Sequence, residues 1–171
     1  GFGRSWSTLF ANLVTGAGFG LLLAGVSLLS GTSLTFSTGL AWGAAGWLAI
    51  QFLPAISLPP ELPGFPFVDV AARQYWWFAT AAASIFGMLA LISRKGMPST
   101  LTGLALLVAP HLYGAPQPAD IASTVPAFIA AGFVMASLST TLFFWLALGL
   151  VLAFRMDRAG TPACAIREKS S

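Results

Sequence analysis

The chain has 171 residues, of which 57% are hydrophobic and only 8% charged, and its formal net charge is +3. Soluble domains carry roughly a quarter charged residues, so a water-exposed globular fold is excluded: lipid must take over the role of solvent. The basic residues are scattered or sit at segment ends, with no basic patch interleaved with aromatics, which excludes nucleic acid as a partner.

In chain order, five apolar segments emerge between turn-forming or charged stretches. The first, about 6–29, is long enough to span a bilayer. The second, about 38–53, either ends there or continues past Pro54 as a kinked end. The third, about 70–92, carries Arg73 and Gln74 in its first turn. The fourth, about 99–113, is short for a hydrocarbon core that needs about 20 residues, and a re-entrant path is its alternative. The fifth, about 126–154, is longer than needed and opens on Pro126, which suits the first turn of a helix. The expected fold is all-α: a polytopic membrane helical bundle of about five transmembrane helices. Residues 1–154 form a single transmembrane domain, and 155–171 form a polar tail holding the lone cysteine, Cys164.

Small residues mark where helices meet. Gly16 and Gly20 form GxxxG in the first segment, Gly39 and Gly43 repeat it in the second, and Ala79, Ala83 and Gly87 line the third. Such spacing lets backbones approach where lipid supplies no hydrophobic drive between helices. With five spans, Arg94, Lys95, Arg155, Arg158, Arg167 and Lys169 share one side, against Arg4 and Arg73 on the other. The positive-inside rule makes the first side, and so the C-terminus, cytoplasmic, in the inner membrane of a bacterium. The chain starts at Gly1 without a signal-peptide layout, so the expectation is a longer protein with a further span ahead of it.

Polar groups collect on the opposite, external side. The connection between the second and third segments has prolines at 54, 59, 60, 63 and 66, yet it is apolar rather than linker-like, so it should fold against the bundle. Around it lie Gln51, Glu61, Asp69, Arg73, Gln74, His111, Tyr113, Gln117 and Asp120, which suggests an external vestibule. Asp69 and Arg73 have the i,i+4 spacing of a local ion pair, which leaves Glu61 between prolines without an evident partner. His111, after Pro110 at a helix end, suits either a bond to a freed carbonyl or a ligand or proton-relay role. Tyr75, Trp76 and Trp77 read as an interfacial aromatic belt, with a docking surface as the alternative. No HExxH, GxSxG or P-loop occurs, so catalysis is not expected, and one histidine cannot build a multi-imidazole metal site.

Three motifs in this order, Pro59-Pro-Glu-Leu-Pro-Gly64, Ala72-Arg-Gln-Tyr-Trp-Trp77 and Pro110-His-Leu-Tyr-Gly-Ala-Pro-Gln-Pro118, resemble those of the CbtA family. Leu9-Phe-Ala-Asn-Leu-Val-Thr-Gly16 likewise looks like the second span of that family. The resemblance implies a membrane subunit of a cobalt transporter, linked to cobalamin metabolism and accompanied by a small single-span, histidine-bearing CbtB-like companion. It also implies an additional N-terminal span and an external segment rich in histidine and acidic residues, neither of which is present in this sequence. By that resemblance Glu61, Arg73, Gln74, His111 and Gln117 carry over as motif residues. Glu61 and His111 are the expected metal donors, and Arg73 positions Glu61 or closes the vestibule. Gln74 and Gln117 hydrogen-bond hydrated metal, and Trp76 and Trp77 are interface residues. No tightly bound cofactor is expected, only transient contact with a cobalt ion. The competing expectation is a non-transporting accessory subunit packed against a larger membrane complex.

Overall fold

The computed structural model describes residues 2–64, 66–92, 96–120, 122–123 and 125–158, without the side chains of Phe2 and Arg158. Arg94, Lys95, Arg167, Lys169 and Cys164, together with the tail from 159 onward, lie outside the described residues. The described chain is all helix and connection: α1 (Phe2–Ser30), α2 (Gly39–Ser57), α3 (Val70–Ile92), α4 (Met97–Tyr113) and α5 (Ala127–Arg158). Four of these, α1, α2, α3 and α5, are long and apolar enough to cross a membrane. At 17 residues α4 is about 25 Å long, against a hydrocarbon core of about 30 Å. Only 17–28% of the residues in each candidate span are buried inside the chain. Phe10, Leu13, Leu21, Phe86 and Phe143 are among many large apolar side chains left exposed. Outward-facing apolar side chains on this scale define a helical membrane bundle, whose remaining surface lipid or a partner covers.

The five segments read from hydropathy are the five helices, and the third has the same bounds, 70–92. The second runs on past Pro54, as a kinked continuation does: α2 widens into a π-turn over Leu48–Phe52 and then continues as α-helix through Ser57. The physical reason is the proline. Its ring crowds the carbonyl four residues back and it has no N–H to donate, so the turn ahead of it loosens. The Leu53 N–H accordingly reaches the Leu48 carbonyl, five residues away. Ala49, Ile50 and Pro54 are buried along this stretch. The extra turn after Pro54 carries Ser57.

Packing contacts gather into two units, residues 1–45 with 143–171 and residues 46–142. The first holds α1, the opening of α2 and the second half of α5. Its core is apolar: Leu23, Leu34, Trp145 and Ala153 are buried, and the Phe19 ring lies 4.8 Å from that of Trp145. Gly39 and Gly43 place the α2 backbone directly against α5. A methyl group on Gly39 would lie 2.8 Å from the Ala153 Cβ and 2.9 Å from the Gly149 carbonyl oxygen. One on Gly43 would lie 3.0 Å from the Leu146 Cα and closer still to the Trp145 carbonyl. This is the small-residue contact that the GxxxG spacing implies. At Gly16 and Gly20 the nearest atoms stand at 3.8 and 3.7 Å, ordinary van der Waals contact, so that motif does not force a backbone approach. Gly31, at φ +65, ends α1, and Thr38 opens α2 by accepting the Trp42 N–H on its carbonyl.

The second unit holds the remainder of α2, all of α3 and α4 and the first half of α5. Here α3 and α4 form a tight antiparallel pair. A methyl group on Gly87 would stand 3.0 Å from the Gly103 carbonyl oxygen, and the Ser99 hydroxyl donates to the Ala90 carbonyl at 2.6 Å. The Trp47 indole N–H is shared between the Leu138 carbonyl at 3.1 Å and the Thr141 hydroxyl at 3.2 Å. One face of α3, Trp76, Thr80, Ala81, Ser84 and Gly87, is buried.

Candidate functional site

The polar groups of the second unit meet where α2 ends, α3 begins and α4 ends. The connection from α2 to α3 is apolar and stiffened by proline, and it folds back onto α3. Leu58 at its start and Val68 at its end are both buried against Trp76, with Ala115 packed beside them. Burying three such side chains contributes several kcal/mol, at about 1.5–3 kcal/mol each for the large ones. That is enough to hold a segment that is not helical. Trp76 therefore sits in the protein's own core, 8% exposed, and not on the aromatic belt or docking surface expected of it. Trp77 is half-buried with its ring edge against Phe78, while Tyr75 is exposed.

Glu61 and Arg73 join the loop to the helix. The Arg73 Nη1 lies 2.5 Å from the Glu61 Oε1, and both side chains are about three-quarters buried. Arg73 Nη1 has no aligned hydrogen bond, so the contact is an ion pair rather than a bidentate fork. The second guanidinium nitrogen, Nη2, donates to the Pro59 carbonyl at 2.7 Å, and Glu61 Oε1 also accepts the Val68 N–H at 3.4 Å. One arginine thus gathers a carboxylate and a carbonyl from the loop. The expected pairing of Asp69 with Arg73 gives way to this arrangement. Asp69 instead caps α3, its Oδ1 accepting the Ala72 N–H at 2.9 Å while its carbonyl accepts the Arg73 N–H. A carboxylate at the N-cap satisfies an otherwise orphaned helix donor and faces the positive end of the helix dipole. That use of Asp69 frees Arg73 for Glu61.

His111 comes from the last turn of α4. Pro110 precedes it, and α4 stops at Gly114, whose φ of +93 suits glycine and whose N–H reaches the Pro110 carbonyl at 3.1 Å. The His111 Nδ1 lies 2.8 Å from the Ser57 hydroxyl, so its partner is a side chain and not a freed carbonyl. Its ring meets the Trp76 indole nearly edge-on, with centroids 6.1 Å apart. Two nitrogens in this neighbourhood, His111 Nε2 and Trp76 Nε1, are buried without a hydrogen-bond partner. Buried polar atoms are normally satisfied, so a pair of orphans on contacting rings marks a place for a further polar group.

Of the sequence-derived candidates, the structure gathers Glu61, Arg73 and His111 around this loop end. It leaves Gln74 and Gln117 exposed; the Gln117 amide donates only to the Ala115 carbonyl, at 3.2 Å. Ser57 is the residue that sequence reasoning missed. Its signal was slight: a hydroxyl three residues beyond a proline, at the kinked end of a span. Beside the cluster, an apolar groove of about 670 Å³ runs between α3 and α4, lined by Tyr75, Trp76, Thr80, Leu106 and Tyr113. Neither Glu61 nor His111 lines it, so it offers a cation no carboxylate or imidazole. Among the described residues, no three His, Cys, Asp or Glu side chains are grouped to hold a metal ion.

An all-helical membrane protein with one half-buried imidazole and one braced carboxylate at the end of its helices defines a class of membrane subunit rather than a particular activity. A family model narrows it: the model described as "Probable cobalt transporter subunit (CbtA)" matches residues 1–157, nearly the whole chain, and the protein belongs to that family. No curated protein and no solved structure matches the chain.

Proposed function

We propose that the chain is a subunit for uptake of cobalt, or a chemically similar divalent cation, across the inner membrane of a bacterium, with its C-terminus in the cytoplasm. The observation that carries this reading is the family match over residues 1–157. The loop end supplies the chemistry. His111 Nε2 is a nitrogen without a competing partner, and the Glu61 carboxylate is held at a fixed place by Arg73. Imidazole nitrogen suits late first-row divalent ions, and carboxylate oxygen broadens the range. Either group alone fills only part of a coordination shell. The other positions go to water and to donors from a partner subunit, such as the small single-span companion. Incomplete coordination favours transient contact over storage, which is what a transport step requires. Gln74 and Gln117, both exposed, serve at most the hydrated ion before it reaches His111.

The test is cobalt accumulation in cells that express the full-length protein with its neighbours. We expect accumulation above the level of cells lacking the protein, and a reduction for Glu61→Gln at unchanged membrane abundance. One observation favours a second reading. Arg73 already neutralises Glu61 and also holds Pro59, as a purely structural brace does. On that reading the chain is an accessory subunit of a larger membrane complex. Copurification with a fixed-stoichiometry partner of unrelated activity, together with wild-type cobalt levels in cells lacking the chain, would establish it.

A further inference from the structure

His111 is the only histidine of the chain, and its two ring nitrogens have different surroundings. Nδ1 faces the Ser57 hydroxyl at 2.8 Å, whereas Nε2 is buried and unpartnered. A neutral imidazole carries one N–H and one bare nitrogen, and the hydrogen bond made by one nitrogen fixes the state of the other. With the proton on Nε2, a buried N–H would have no acceptor, beside a Trp76 indole N–H that already lacks one. Orphaned buried N–H groups are rarer in folded proteins than under-satisfied acceptors, because the whole desolvation penalty falls on the donor. A serine hydroxyl accepts as readily as it donates, so Ser57 can take the proton side of the bond. In the other tautomer His111 Nε2 and Trp76 Nε1 would both be buried N–H groups with nothing to receive either.

The geometry points to Ser57 as a positioning residue: its hydroxyl accepts the Nδ1–H of His111 and keeps Nε2 bare, the state in which an imidazole nitrogen can act as a ligand. The inference rests on the cobalt reading above and names the group that prepares its nitrogen donor. Outer-shell partners of this kind fix the tautomer and orientation of a ligating histidine. The α2 extension past Pro54 is what makes this possible, since the loosened turn lets the helix run on far enough to present Ser57. Here a backbone irregularity, a hydroxyl and an imidazole form one device.

The full-length protein, labelled with ¹⁵N-histidine and placed in lipid nanodiscs, reports the tautomer directly through the nitrogen resonances, those of His111 being the ones that His111→Ala removes. We expect a protonated Nδ1 and a bare Nε2 in the wild type and in Ser57→Thr, which keeps the hydroxyl. Ser57→Ala should lose that preference and give a mixed or reversed tautomer. In cells, Ser57→Ala should raise the cobalt concentration for half-maximal uptake by on the order of 10-fold, with Ser57→Thr close to wild type. A protonated Nε2 in the wild type, or an unchanged tautomer in Ser57→Ala, overturns the inference. If the tautomer behaves as described but His111→Ala transports normally, the positioning by Ser57 stands and the transport reading falls. If His111→Ala abolishes uptake while the tautomer ignores Ser57, the reverse holds.

Discussion

The two packing units solve the problem of joining helices in opposite ways. The first, residues 1–45 with 143–171, brings backbones into contact through Gly39, Gly43 and Gly149 and buries an apolar core around Trp145. The second, residues 46–142, also uses a glycine contact, between Gly87 and Gly103. It adds a proline-stiffened loop, an ion pair and a histidine held by a serine. The difference shows where chemistry can reside in a membrane protein. A glycine seam offers no ligand and tolerates little change, whereas the loop end spends polar groups that lipid penalises unless they are paired or used. Glu61 and Arg73 are paired. His111 Nε2 and Trp76 Nε1 are not, and neither is Trp145 Nε1 in the first unit; an indole N–H can only donate, so it is the imidazole and the carboxylate that make the second unit the place to look for function.

The contrast can be broken at measurable points. The largest effect on stability is expected at the seam. Gly43→Ala sets a methyl group against the backbone of Trp145 and Leu146, atoms that cannot move aside as a flexible side chain would. Overpacking of this kind costs about 1–3 kcal/mol, with the upper part of the range expected here, and should appear as a lower unfolding midpoint in mild detergent. Next comes Arg73→Ala, which strands the Glu61 carboxylate and the Pro59 carbonyl. A loss of about 1.5–3 kcal/mol is the usual scale for hydrogen bonds to charged groups. The lower end applies here, because both side chains keep some contact with solvent. The double variant Glu61→Gln/Arg73→Ala should recover part of the loss, since no unpaired charge is left. Proteolysis of the 58–69 connection, followed over time, checks both proteins. Asp69→Ala removes only the cap of α3 and should cost about 1 kcal/mol, measurable by denaturant titration. The smallest effect is expected for Gly16→Ala, whose new methyl group meets the Phe144 ring at ordinary contact distance. An unfolding midpoint indistinguishable from wild type checks it, and a large drop there would erase the distinction between the two GxxxG motifs.

Much of the fold was legible because hydropathy and the turn residues act locally. Five apolar runs became five helices, and α3 kept both of its ends. The brevity of α4 was also visible, and it leaves four helices long enough to span. What escaped was set by contacts between distant residues. Pro54 signalled a disturbed turn ahead of it, but not whether the helix would kink, stop or widen into a π-turn as it does. The i,i+4 rule sees only one helix, so it paired Arg73 with Asp69. The folded loop delivers Glu61 to the same guanidinium, the placement expected of Arg73 among the motif residues but not from helix spacing. Trp76 looked like its neighbours Tyr75 and Trp77 on an aromatic belt until the loop closed over it and made it core. Glu61 and His111 were visible as ionisable groups near span ends, but Ser57 was not, because a serine at a helix end is ordinary until its partner is known.

The central claim is that the polar cluster around His111 serves cation passage and the helix packing of the first unit does not. The most direct measurement is the initial rate of cobalt uptake for His111→Ala and Gly16→Ala, side by side, at matched membrane abundance. His111→Ala should fall toward the rate of cells lacking the protein, and Gly16→Ala should keep the wild-type rate. Wild-type uptake by His111→Ala would contradict the account and leave the cluster a structural feature.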